Sequence, residues 1–162
     1  MRTARRWRCL TGWEFVHVCV DDATRLAYAE VLADEKATTA IAFLARAVEH
    51  YAAHAITAQR VMTDNGAAYR STLHTLACRA IGLRHQRTRP YRPRTNGRIE
   101  RFIKTMIAGR NDGAIYATSR ERAAALDGWL WTYNHRRLHG ALSHKPPIAR
   151  LEELNTLPGT CN

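Results

Sequence analysis

Residues 61–69 read VMTDNGAAY, and the fold of this chain turns on how that stretch divides. TAQRVMT, 57–63, reads as a short strand, and Asp64-Asn65-Gly66 ends it with a strong turn signal. A helix follows through about Ile81, with Gly82 suited to its C-terminal stop. LRHQRT, 83–88, reads as a second short strand. Strand, helix and strand in this order point to an α/β domain. In such sheets ligands gather at the carboxyl ends of strands, where Asp64 would stand.

Upstream, WEFVHVCV (13–20) alternates and is rich in β-branched and aromatic residues, as a half-buried strand requires. DDATR makes a turn and LAYAEVLA a second strand, so the pair predicts a hairpin. Residues 37–54 carry Ile41, Phe43, Leu44, Ala47, Val48 and Tyr51 at helical spacing. Downstream, RPYRPRTNG (89–97) has the composition of a loop. A helix starts near Asn96 with Ile99, Phe102, Ile103, Met106 and Ile107 as its apolar stripe, and 109–117 forms a linker. Thr118-Ser119-Arg120-Glu121 has the capping-box pattern and opens a helix through WLWTYNH toward Gly140. Pro146 and Pro147 begin a tail. The expected division is an irregular segment over 1–12, a core with a C-terminal helical extension over 13–151, and a tail over 152–162.

The 162 residues suffice for one domain with a real core, and 46% apolar with 24% charged is a globular balance. No stretch approaches the roughly 20 apolar residues of a membrane helix. The basic start, MRTARRWRCLTGWEF, lacks an uninterrupted apolar run, since Glu14 and His17 intervene. These features predict a cytoplasmic protein. Cys9, Cys19, Cys78 and Cys161 form no CxxC pair, and reduced thiols are expected. The net charge is +11, and every basic residue except Lys36, Lys104 and Lys145 is arginine. Guanidinium groups match phosphate oxygens, so a polyanion, first of all nucleic acid, is the expected partner.

Thirty-five residues lie between Asp64 and Glu100, which falls in the first turn of its helix and off the apolar stripe. Two readings of these acids stand open. In one, Asp64 caps a turn and Glu100 pairs with Lys104 at i,i+4. In the other, both carboxylates hold a hard divalent cation, which takes oxygen ligands and offsets their repulsion from nucleic-acid phosphates.

VMTDNGAAY together with RTRPYRPRTNGRIERF resembles the second and third acid motifs of the DDE transposase and retroviral-integrase superfamily. The likeness is to the integrase core of bacterial insertion-sequence transposases. It extends over VDDATRLAYAEV, FLARAVEHYA and WLWTYNHRRLHGALSHKPP, from Trp13 to Leu151. It implies a ribonuclease-H-like mixed sheet flanked by helices, and two-metal phosphoryl transfer: cleavage at transposon ends, then attack of the freed 3′-hydroxyl on target DNA. It implies Asp64 and Glu100 as catalytic metal ligands for Mg2+ or Mn2+, with Asn65 and Gly66 shaping the turn beside them. Arg89, Tyr91, Arg92, Arg94, Arg98 and Lys104 would line the DNA path. The partners implied are transposon-end and target DNA and further transposase subunits in an oligomer, acting at the bacterial nucleoid.

The family uses three acids, the first on the opening, central strand of the sheet. Residues 1–13 contain no Asp or Glu. Glu14, Asp21 and Asp22 come next, and the hairpin register makes Asp21 and Asp22 turn-shaping residues rather than ligands. ARRWRCL, 4–10, with three arginines, is a poor central strand. The expectation is a chain truncated at its N-terminus, with the first strand missing or poorly replaced. Such a transposase lacks the first acid and is weak or inactive in strand transfer alone. The alternatives are a non-catalytic DNA-binding remnant and a nuclease of the same fold. Leu138 departs from the proline usual in the tail signature, and His135 and His139, at i,i+4, lack a third ligand in sequence.

Overall fold

The computed structural model describes residues 7–9, 12–88, 97–110 and 118–156. Strands β2 (Gly12–Val20) and β3 (Ala27–Leu32) form the antiparallel hairpin, with Val16 opposite Val31, Val18 opposite Ala29 and Val20 opposite Ala27. The period-two alternation sorts their side chains between two faces. Val16, Val18, Ala27 and Ala29 are buried with Phe102 and Met106 of α4 (Gly97–Arg110) and Leu126 and Tyr133 of α5 (Ser119–His135). On the other face, Cys19, Tyr28 and Leu32 pack beneath α1 (Ala37–Ala53), which buries Ala40, Phe43, Leu44, Ala47 and Tyr51. Helices therefore cover both faces of the hairpin. Phe43 and Phe102 are almost wholly removed from water. Each contributes about 2–3 kcal/mol of hydrophobic stabilisation.

Parallel strands β4 (Arg60–Thr63) and β5 (Arg84–Arg87) form a second sheet, joined through α2 (Ala67–Arg70) and α3 (Thr72–Ala80). Leu44 of α1 meets Val61, Cys78 and Leu83, so α1 spans both sheets. The single helix expected from Gly66 to Ile81 is broken at Ser71. Its backbone is extended there (φ −66°, ψ 144°), and its hydroxyl accepts a 3.1 Å bond from His74 N–H as the cap of α3. Gly82, at φ +74°, follows the helix in the left-handed region, where a side chain is strained.

The irregular segment expected over 1–12 contains strand β1 (Trp7–Cys9), which pairs antiparallel with β2 on the side away from β3. It covers three residues of the nine in β2. Among the described residues no ladder joins the three-stranded sheet to the two-stranded one. Across the boundary expected at residue 152 runs α6 (Pro147–Thr156), which places Leu151 against Leu26, Ala47 and Tyr51. Pro147 opens it because a first helical residue needs no N–H partner.

Candidate active site

The end of β4 builds the site. Thr63 is fully buried, and its carbonyl accepts Thr88 N–H at 2.8 Å, the last link between β4 and β5. Asp64 follows, half-buried, as the chain leaves the sheet. Its Oδ1 accepts Gly66 N–H at 2.8 Å, which fixes the carboxylate relative to the turn. Among the described residues Oδ2 accepts no hydrogen bond, so that oxygen is available to a ligand. A Cβ on Gly66 would stand 3.0 Å from Asp64 Oδ1 and 3.5 Å from the Tyr69 ring. Glycine lets the turn close this tightly over the acid. Asn65 donates from Nδ2 to the Thr88 carbonyl at 2.9 Å and fastens the turn to the end of β5.

Glu100 lies in the first turn of α4, half-buried, beside Ile99, which is buried. Phe102 and Met106 hold the helix on the hairpin, so Glu100 rides on a packed element rather than a loop. Lys104, one turn further on, is exposed. Arg98 forms an ion pair with Asp22, which also accepts Arg25 Nη1 at 3.2 Å. This contact ties the start of the Glu100 helix to the hairpin turn. Arg89, Tyr91, Arg92 and Arg94 lie outside the described residues.

Asp21 and Asp22 divide their work. Asp21 Oδ2 accepts Ala23 N–H at 3.2 Å, Thr24 N–H at 2.7 Å and Thr24 Oγ1–H at 2.7 Å. These bonds stabilise a turn in which Arg25 sits at φ +64°, a conformation that costs a non-glycine residue about 1 kcal/mol. The carboxylate of Asp21 is occupied with its own backbone. Asp22 is exposed and pairs with Arg25 and Arg98.

Two features escaped the sequence reading. Asn134, buried on α5, grips Ala27 of β3 through both polar atoms of its side-chain amide, Oδ1 accepting the Ala27 N–H and Nδ2 donating to the Ala27 carbonyl. His74, Cys78 and His85 form a cluster behind Thr63. His135 instead donates from Nδ1–H to the Trp131 carbonyl (2.9 Å) and stacks on the Trp131 ring, while His139 packs edge-on against Tyr133.

A hairpin and a parallel pair sharing one layer of helices, with an acid at the end of the first parallel strand, define an α/β core of the ribonuclease-H type. The integrase core domain family matches residues 5–93, and a second integrase core domain profile matches 81–147. The chain belongs to the integrase core domain family. An insertion element IS136 uncharacterized protein of Agrobacterium fabrum is 29% identical over 91% of this chain and 82% of its own length. An uncharacterized protein of Caenorhabditis elegans is 30% identical over 59% of this chain, which spans only 7% of that protein. Among solved structures, an intasome of simian T-cell lymphotropic virus in complex with PP2A regulatory subunit B56 gamma superposes with a TM-score of 0.78. It is 24% identical, with 99% of this chain and 55% of that chain covered. The catalytic core domain of BIV integrase gives 0.70 at 18% identity, covering 95% and 93%. The HTLV-2 integrase catalytic core domain in complex with magnesium gives 0.61 at 19% identity, covering 91% and 92%. These likenesses establish the fold as that of integrase catalytic cores.

Proposed function

We propose that this chain is the DNA-handling core of an insertion-sequence transposase, with Asp64 and Glu100 as its metal-binding acids. The observation that carries this reading is the setting of Asp64. Its carboxylate stands at the end of β4, oriented by Gly66 N–H through one oxygen and open at the other. Hard oxygen donors of this kind fit magnesium or manganese. The magnesium complex of the HTLV-2 core supports the same choice. Bound there, the cations would polarise the phosphodiester and stabilise the attacking and leaving oxygens of an in-line displacement. The chain's own residues position the DNA: exposed Lys104 and Arg98 flank Glu100, and Arg89, Tyr91, Arg92 and Arg94 precede it in sequence. Such contacts hold phosphates without reading bases.

In this reading the chain supplies two acids of the family's three. Asp21 is engaged by its turn and Asp22 by arginines, so neither substitutes for the first. The expected behaviour is DNA and metal binding, oligomer formation with other transposase subunits, and weak strand transfer by this chain alone. The second reading is a DNA-binding partner that does no chemistry, favoured by the engagement of Asp21 and Asp22 away from the end of β4. No helix among the described residues is long and apolar enough to cross a membrane. We place its action at bacterial DNA in the cytoplasm.

The test is binding of a fluorescent duplex oligonucleotide across a salt series, with nicking of supercoiled plasmid in Mn2+. The transposase reading predicts affinity falling with salt by about 0.9 log units per log unit for each phosphate neutralised. It also predicts slow nicking that Asp64→Asn and Glu100→Gln each abolish. Salt-insensitive binding, or nicking that survives both substitutions, contradicts it. Binding with no nicking in any form leaves the non-catalytic reading standing.

A further inference from the structure

We infer that His74, Cys78 and His85 form a binding site for a soft divalent cation, zinc by preference, separate from the carboxylate site. His74 and Cys78 sit one turn apart on α3, and His85 faces them from β5. One ligand atom from each residue lies within 4.8 Å of the other two. Among the described residues this is the one group of three His, Cys, Asp or Glu side chains so placed.

The geometry has the dimensions of a zinc site slightly relaxed. His74 Nδ1 and Cys78 Sγ are 3.6 Å apart. Tetrahedral bonds of about 2.0 Å to nitrogen and 2.3 Å to sulfur require an N···S edge of about 3.6 Å. Closing the longer edge to His85 takes about 1 Å of side-chain movement on the same bond lengths. Three protein ligands leave the fourth position to water.

The chemistry of the pocket favours a metal over three isolated polar groups. His74 and Cys78 are fully buried, and His74 Nε2 has no hydrogen-bond partner. His85 Nε2 meets Thr63 Oγ1 at 2.9 Å, and that hydroxyl donates to the Asp64 carbonyl at 3.1 Å. A ring nitrogen held by an outer hydrogen bond is how metal-binding histidines are usually oriented. His85 is only half-buried, which leaves an approach from solvent. On binding, the Cys78 thiol proton is released to water and the thiolate bonds the cation, with no change of oxidation state.

The cation would clamp α3 to β5 and, through Thr63, stiffen the strand end that carries Asp64. Thiolate and imidazole donors select zinc or cobalt over magnesium.

The experiment titrates Co2+ into the full, metal-free chain and follows the thiolate-to-cobalt charge-transfer absorption. Zn2+ is then added in competition, and the melting temperature is read with and without Zn2+. The expected result is a charge-transfer band for one equivalent of cobalt, bleached by zinc, with a higher melting temperature in zinc. Cys78→Ser should remove the band, and His85→Gln should weaken binding by about tenfold or more. Circular dichroism verifies that both variants fold. Asp64→Asn should leave the spectrum unchanged, so failure of the carboxylate site and failure of this site are read separately. Absence of the band, its persistence in Cys78→Ser, or an unchanged melting temperature in zinc overturns the inference.

Discussion

Asn134 and Ala27, 107 positions apart, are joined by two hydrogen bonds. Ala27 N–H donates to Asn134 Oδ1 at 2.9 Å, and Asn134 Nδ2 donates to the Ala27 carbonyl at 2.8 Å. The side-chain amide thus takes the place of a strand residue along the backbone of β3. It satisfies groups that the neighbouring helix would otherwise leave buried and unpaired.

Asn134→Ala should therefore cost about 2–4 kcal/mol, because it strands a donor and an acceptor at a fully buried residue. Asn134→Asp should cost at least as much, since a carboxylate placed against the Ala27 carbonyl accepts but cannot donate. Urea denaturation of the three proteins measures both. Equal midpoints for the asparagine and alanine forms would contradict the role given to this side chain.

The two turn acids should separate cleanly. Asp21→Ala removes three accepted bonds from a turn that holds Arg25 in the left-handed region, and should cost about 1–3 kcal/mol. Asp22→Ala removes exposed ion pairs and should fall within about 0.5 kcal/mol of the parent. Thermal melts of the two variants provide the comparison.

Gly66→Ala should injure metal binding more than stability. Its backbone angles (φ −57°, ψ 151°) suit alanine, but the new methyl group meets Asp64 Oδ1 at 3.0 Å. We expect less than about 1 kcal/mol of destabilisation. Displacing the carboxylate should lower Mn2+ affinity by about tenfold. Calorimetric titration with Mn2+ alongside a melting curve tests both halves.

His17 should make stability pH-dependent. The ring is fully buried against Phe43, and its Nε2–H donates to the Asp34 carbonyl at 2.9 Å, while Nδ1 has no partner. Burial lowers its pKa below 6.5, outweighing the Asp34 carbonyl and the acids Glu30, Asp34 and Glu35, which all raise it. The unfolded chain therefore takes up the proton first as pH falls. The stabilisation is complete above 6.5 and is lost as pH drops toward the folded value. His17→Leu should reduce the slope of stability against pH below 6.5 by one histidine's share, read from urea midpoints across that range.

Much of this architecture was legible because periodicity is local. Val16, Val18, Ala27 and Ala29 announced their shared face by alternation, and Phe102 and Met106 theirs by helical spacing. Asp64-Asn65-Gly66 marked the strand end. What stayed hidden depended on partners distant in the chain or on competing local signals. Ser71 lies within a run that reads as one helix, and only its capping bond to His74 N–H reveals the break. Residues 4–10, with three arginines, read as a poor central strand, and Trp7–Cys9 within them pairs with β2 as a short strand on one edge, which tolerates charge that a central one does not. Asn134 reads as a polar helix residue until β3 is folded against it. His74 and Cys78 are one turn apart, but their third companion comes from β5, beyond a helix end and a turn.

The central claim, that Asp64 and Glu100 serve one divalent cation site, is tested most directly by calorimetric titration of Mn2+ into the parent chain, Asp64→Asn, Glu100→Gln and the double variant. A shared site predicts that each single substitution lowers affinity strongly and that the double variant binds scarcely worse than either, because the two losses overlap. Unaltered affinity in either single variant, or losses that simply add, would show that the two carboxylates do not meet at one ion.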